Sequence, residues 1–139
     1  MDAATERVPR DVVAVIALGG ALGAPARYEV AQLIHVAPGS FPWATFVTNL
    51  SGAFVLGLFL TAVVRRRPAS RHLRPFFAVG FLGAFTTFST LAVETVTLVR
   101  DGDAALGVAY LVVSVVAGLL AAYVGIVIAR RLPRRAVGA

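Results

Sequence analysis

The side chains of this chain that can do chemistry are hydroxyls and one amide, set among hydrophobic residues. The densest group is Gly80-Phe81-Leu82-Gly83-Ala84-Phe85-Thr86-Thr87-Phe88-Ser89-Thr90, which places Thr86, Thr87, Ser89 and Thr90 together inside an apolar run. Upstream, Thr45, Thr48, Asn49 and Gly52 recur at i, i+3, i+4, i+7 and so share one face of a helix. Downstream, Tyr110, Ser114, Gly118, Ala121 or Ala122, and Gly125 form a small or hydroxyl-bearing face. Hydroxyls and amides donate and accept hydrogen bonds without carrying charge. In apolar surroundings the Asn49 amide either bonds a neighbouring helix or lines a wet path. Phe81, Phe85 and Phe88, at i, i+4, i+7, either pack together or turn their positive ring edges toward an anion. Arg27 and Glu94 also lie inside apolar runs, where charge is expensive, and we expect them to pair with each other. Catalytic chemistry is not indicated: there is no nucleophile beside a base, no metal-ligand cluster and no phosphate loop. Cysteine is absent, and His35 and His72 fall in predicted loops, so no metal site is expected from them.

These residues must be positioned by helices that cross a membrane. Hydrophobic residues make up 58% of the 139 and the mean hydropathy is +0.83, more than a water-soluble core of this size uses. A span needs about 20 apolar residues. The sequence offers four, at about 12–34, 43–64, 76–99 and 104–129, which predicts an all-α integral membrane protein formed as a single four-helix domain over residues 1–139. Pro38, Gly39 and Pro42 mark the first connection, Arg65 to Pro75 the second, and Asp101, Gly102 and Asp103 the third. Gly19 and Gly23 in the first span are spaced for close helix packing. Glycines and β-branched hydroxyl residues from Gly80 to Thr90 predict that the third helix is interrupted in mid-membrane, where irregular backbone needs protein or an ion to satisfy its carbonyls.

Every basic residue is an arginine. Arg7, Arg10, Arg65, Arg66, Arg67, Arg71, Arg74, Arg130, Arg131, Arg134 and Arg135 flank one side of the spans, and Arg100, beside two aspartates, flanks the other. This asymmetry predicts cytoplasmic termini. Arginines that bracket spans suit anionic lipid headgroups, not nucleic acid, despite the net charge of +6. The first apolar run is too long, and carries too much charge in Arg27, for a cleavable signal peptide.

The runs Gly19-Gly20-Ala21-Leu22-Gly23-Ala24 leading to Arg27-Tyr28, Thr48-Asn49-Leu50-Ser51-Gly52-Ala53-Phe54 and Gly80 to Thr90 together resemble the Fluc/CrcB fluoride channels. The resemblance covers all four spans, and the Thr-Thr-Phe-Ser-Thr element beside an Asn-x-x-Gly helix is its most specific part. It implies an antiparallel, dual-topology-type dimer of four-helix subunits in the plasma or inner membrane. It also implies that fluoride is exported passively, relieving its toxicity, through two pores along the subunit interface. It further implies a structural sodium ion at the dimer centre, held here by the backbone carbonyls of Gly83 and Thr86. The matching pore positions are Asn49, Phe88, Ser89, Thr90, Tyr110 and Ser114, with Thr45 and Thr48 on the Asn49 face. A small, hard, strongly hydrated anion must exchange its water for equally good donors, and hydroxyls, an amide and ring edges supply them without a trapping full charge.

This sequence departs from the family at Leu91, where a second phenylalanine is usual, and at Gly118 and Ala122, where the hydroxyl track usually continues. The departures raise a partner choice between an identical chain and a homologous one. Two other functions compete. A proton-coupled four-helix multidrug exporter needs a carboxylate central in the first span, whereas Glu29 lies near its end. A non-conducting partner subunit would leave the Thr86 to Thr90 cluster without a purpose.

Overall fold

The computed structural model describes residues 8–64 and 71–132. Arg7, Arg65, Arg66, Arg67, Arg134 and Arg135 lie outside the described residues. Helix α1 is Arg10–Leu33 and α2 is Trp43–Val64. The third span is composite: a π-helix at Pro75–Phe81, a short α3 at Leu82–Phe85, and α4 at Phe88–Arg100. Helix α5 is Ala104–Arg131. Among the described residues the structure is all helix and connection, and all four spans are long and apolar enough to cross a membrane.

Glycine decides which spans touch. A Cβ on Gly19 would strike the Phe76 carbonyl, one on Gly23 the Phe81 carbonyl, and one on Gly80 the Ile16 carbonyl, so α1 lies directly on the π-helix backbone. In the same way Gly57 of α2 abuts the Ala122 carbonyl and Gly125 of α5 abuts the Phe54 carbonyl. Two tightly joined pairs result, α1 with the π-helix and α2 with α5, and α4 closes against α5. Close backbone approach of this kind replaces the hydrophobic drive that lipid removes. It explains Gly19, Gly23, Gly107 and Gly125, whereas Gly20 meets only ordinary contacts at 3.9 Å and Gly118 has nothing within 4 Å of its would-be Cβ.

Leu91, Leu98 and Tyr110 form a small core, against which Phe41, Phe46, Leu106 and Leu111 pack. Phe41 meets Tyr110 edge-on at 5.2 Å and Trp43 at 4.6 Å, so aromatic rings pin the first connection to α4 and α5. Little else is enclosed. The most apolar 18-residue window of α5, with mean hydropathy 2.7, is only 6% buried by its own chain, which leaves its apolar surface for lipid or a second subunit.

Candidate functional site

The third span breaks where its hydroxyls cluster. Thr86 (φ −78°, ψ 157°) and Thr87 (φ −148°, ψ 121°) are extended, and Thr87 then caps the next helix by accepting the Thr90 amide on Oγ1 at 3.1 Å. A threonine at this cap position is a preferred helix start. The remaining hydroxyls close a local net: Thr87 Oγ1 donates to Thr90 Oγ1 at 3.0 Å and lies 3.2 Å from Ser89 Oγ, while Thr86 Oγ1 donates to the Leu82 carbonyl.

Asn49 holds the break from α2. Its Nδ2 donates to the Thr87 carbonyl at 2.9 Å and its Oδ1 accepts the Thr87 amide at 2.8 Å. One side-chain amide thereby satisfies both polar groups of an extended residue at membrane depth, where each unpaired group would cost several kcal/mol. The rest of the polar stripe on α2 faces the same partner: Thr45 bonds Glu94, and a Cβ on Gly52 would collide with Thr86 Cγ2. Thr48 turns back to its own helix, on the Ala44 carbonyl. The stripe is thus the seam that carries the broken span.

The same bonds expose two carbonyls. In a continuous helix the Thr87 amide would donate to Gly83 and the Thr90 amide to Thr86. Here Asn49 Oδ1 takes the first amide and Thr87 Oγ1 the second, so both carbonyls lose their helical donors. Gly83 is itself exposed. Neutral backbone oxygens without their helical donors are a ligand set that fits a hard cation such as sodium.

Two hollows meet at this break. One, of about 420 Å³, is a groove lined by Asn49, Gly83, Thr86, Thr87, Phe88 and Ser114 among apolar residues including Gly118 and Ala122. The other, of about 230 Å³, is lined by Arg27, Tyr28, Thr45, Thr48, Thr87 and Thr90. Thr87 forms a wall of both. The Ser114 hydroxyl is buried without a partner, a donor held in reserve on the groove side.

Two expectations need correcting. Arg27 does not pair with Glu94 among the described residues: Glu94 accepts from Thr45 Oγ1 at 2.9 Å on one oxygen and from Tyr110 OH at 2.6 Å on the other, while Arg27 lines the smaller hollow. Hydroxyls on α2 and α5 reach the carboxylate, and α1, which packs chiefly on the π-helix and α3, does not bring its guanidinium there. Phe88 does not share a face with Phe81 and Phe85. Those two stack at 6.0 Å, continuing a ladder from Phe77, whereas Phe88 lies past the break and is 72% exposed. The break rotates it out of helical register.

The structure therefore gathers Asn49, Thr86, Thr87, Phe88 and Ser114 around one groove and Arg27, Thr45, Thr48 and Thr90 around one hollow. Tyr110 stays fully buried between α4 and α5, and Ser89 is exposed beside Phe88. Thr87 was named from sequence within the hydroxyl cluster but not as a helix cap, although its position before a helical run carried that signal. Tyr28 as a lining residue and the joining of Thr45, Glu94 and Tyr110 had no signal, because helix rotation decides them.

A family model described as CrcB-like protein, Camphor Resistance (CrcB), matches residues 14–126. The chain is similar to fluoride-specific ion channel FluC 1 of Streptomyces coelicolor, 45% identical over 126 residues that cover 91% of this chain and 82% of that one. It is likewise similar to fluoride-specific ion channel FluC 1 of Mycobacterium tuberculosis, 44% identical over 88% of this chain and 92% of the other. Fluoride-specific ion channel FluC of Magnetococcus marinus is 42% identical over 85% and 97%.

Proposed function

This chain belongs to the CrcB family, and on that premise we propose that it is a fluoride-specific ion channel, a multi-pass membrane protein that lets fluoride leave the cytoplasm passively. It is a conductor, not an enzyme. The observation that carries the reading is the junction at Thr87, where a hollow rich in hydroxyls and a groove lined by an amide and a spare hydroxyl share one wall. Fluoride entering such a path exchanges water for neutral donors at each step, and no full positive charge beyond Arg27 at the mouth traps it. Thr45, Thr48 and Thr90 serve the mouth, and Asn49, Phe88 and Ser114 the constriction beyond, with Ser89 exposed beside Phe88 and Tyr110 fully buried one helical turn from Ser114.

The groove is open on one side, and Phe88 projects into space beside it. We assign a second subunit, antiparallel to the first, to close it and to complete two pores. Gly83 and Thr86 would hold a structural sodium ion at the centre, with the twin carbonyls of the partner doubling the donor set. The bound cation would supply positive charge that keeps the two broken spans together. Both termini are assigned to the cytoplasm on the arginine asymmetry, with lipid headgroups as their neighbours. Either an identical chain or a homologous one fits as partner.

The test is efflux from liposomes that contain the purified chain, with potassium fluoride inside and valinomycin to carry potassium. Fluoride should leave within seconds to minutes and chloride should stay. Equal release of both ions, or of neither even when a homologous partner of opposite orientation is co-reconstituted, refutes the reading.

A further inference from the structure

Among the described residues that line the two hollows, Thr87 alone belongs to both, and it is 8% exposed. Each of its polar atoms is already engaged. Asn49, on the groove side, bonds its amide at 2.8 Å and its carbonyl at 2.9 Å. On the side of the smaller hollow, Thr87 Oγ1 accepts the Thr90 amide, donates to Thr90 Oγ1 at 3.0 Å and lies 3.2 Å from Ser89 Oγ. A hydroxyl carries a single proton, so Thr87 has none left for an anion. What remains is its γ-methyl group, and the bonds to Oγ1 hold the side chain in one rotamer and that methyl in one place.

The donors still open to an anion lie on either side. In the smaller hollow Thr45 gives its proton to Glu94 and Thr48 to the Ala44 carbonyl, whereas the Thr90 hydroxyl accepts from Thr87 and keeps its own hydrogen free of any acceptor among the described residues. In the groove Thr86 gives its proton to the Leu82 carbonyl, whereas Asn49 Nδ2 keeps a second hydrogen and Ser114 has no partner. Thr90 and Asn49 are both hydrogen-bonded to Thr87 itself, one from each hollow.

We propose that Thr87 is the specificity-determining partition of the path: it fixes a spare donor of Thr90 on one side and of Asn49 on the other, and its methyl group limits the size of the anion that passes between them. The proposal rests on the channel reading above. Fluoride passes from one neutral donor to the next across a single residue. A larger halide meets the methyl group before it reaches the second donor.

The test compares two substitutions in the same liposomes, with fluoride and chloride efflux read side by side and unfolding temperature in detergent as the control for folding. Thr87→Ser keeps the hydroxyl and an equally good helix cap but removes the methyl group. Its unfolding temperature should match the wild type, and its fluoride-to-chloride efflux ratio should fall at least about tenfold, the scale on which one carbon of pocket shape discriminates. Thr87→Val keeps the shape and removes the hydroxyl. Chloride should stay excluded, while fluoride efflux falls at least about threefold as Thr90 loses its tether. A helix cap and nothing more would give the opposite pattern, a Ser variant as selective as the wild type and a Val variant altered in stability alone. A Ser variant that excludes chloride as the wild type does, or a folded Val variant that leaks it, overturns the proposal and leaves the channel reading intact; the Ser result decides by itself if the Val variant does not fold. Absence of fluoride efflux from the wild type, with a homologous partner present, overturns both.

Discussion

Asn49 commits its amide to the backbone of Thr87, and this alters what its substitution should do. Asn49→Asp keeps the acceptor for the Thr87 amide but sets a second oxygen against the Thr87 carbonyl in place of a donor. Losing that bond and leaving a buried carbonyl unpaired costs about 1–3 kcal/mol, before any repulsion of fluoride. We therefore expect at least about a tenfold drop in fluoride efflux from liposomes together with a lower unfolding temperature in detergent. A variant with unchanged efflux removes Asn49 from the path. Ser114 should behave in the opposite sense. Its hydroxyl is buried and unpaired in the single chain, so Ser114→Ala should leave thermal unfolding unchanged or slightly raised while fluoride efflux falls. Equal efflux would show that the hydroxyl serves packing alone. Sequence made some of this readable. Four hydroxyls in an apolar run announced a break, whereas the cap at Thr87 was not read from the sequence. The partners of Glu94 were not readable, since Thr45 is 49 residues away and Tyr110 16, and three helices must rotate together to bring them in.

At the level of elements, the spans follow from apolar length, and the structure differs mainly in how the third is built. Its first part winds as a π-helix from Pro75 to Phe81, which no hydropathy pattern announces. The irregular winding coincides with the place where Gly80 meets Gly19 backbone to backbone, and π-turns are common at functional positions. The glycines supply a clean contrast. A Cβ on Gly57 would strike the Ala122 carbonyl, with no side chain to move aside, so Gly57→Leu should abolish folded, monodisperse protein in detergent. A Cβ on Gly83 meets nothing nearer than the Ala78 carbonyl at 4.0 Å, so Gly83→Leu should leave the single chain folded. On the dimer proposal, that same leucine would stand where the partner's broken span must come. Size-exclusion chromatography with light scattering should then report a folded monomer for Gly83→Leu and almost no recoverable protein for Gly57→Leu. A Gly83→Leu chain that remains dimeric would move the contact away from the break.

For the whole molecule, two features have to be reconciled: apolar surface that one chain cannot bury, and arginines gathered at one end. Among the described residues Arg10, Arg71, Arg74, Arg130 and Arg131 mark that end, with Arg71 and His72 also bonded to Asp11 across α1 and the third span. So lopsided a chain should insert in one orientation. Accessibility of tags at both termini in intact cells checks this, with labelling expected only after the membrane is opened; equal labelling without opening contradicts it. If the orientation is single, an antiparallel partner must be a homologous chain of opposite bias, and coexpression should raise efflux above that of the chain alone. The central claim, a path selective for fluoride, is tested most directly by electrical recording across a planar bilayer containing the protein, alone or with that partner, with fluoride on one side and chloride on the other. The account predicts a zero-current voltage shifted by more than about 100 mV toward the fluoride equilibrium potential, as a strongly selective path requires. A zero-current voltage near zero, or one that follows the cation gradient, would contradict it.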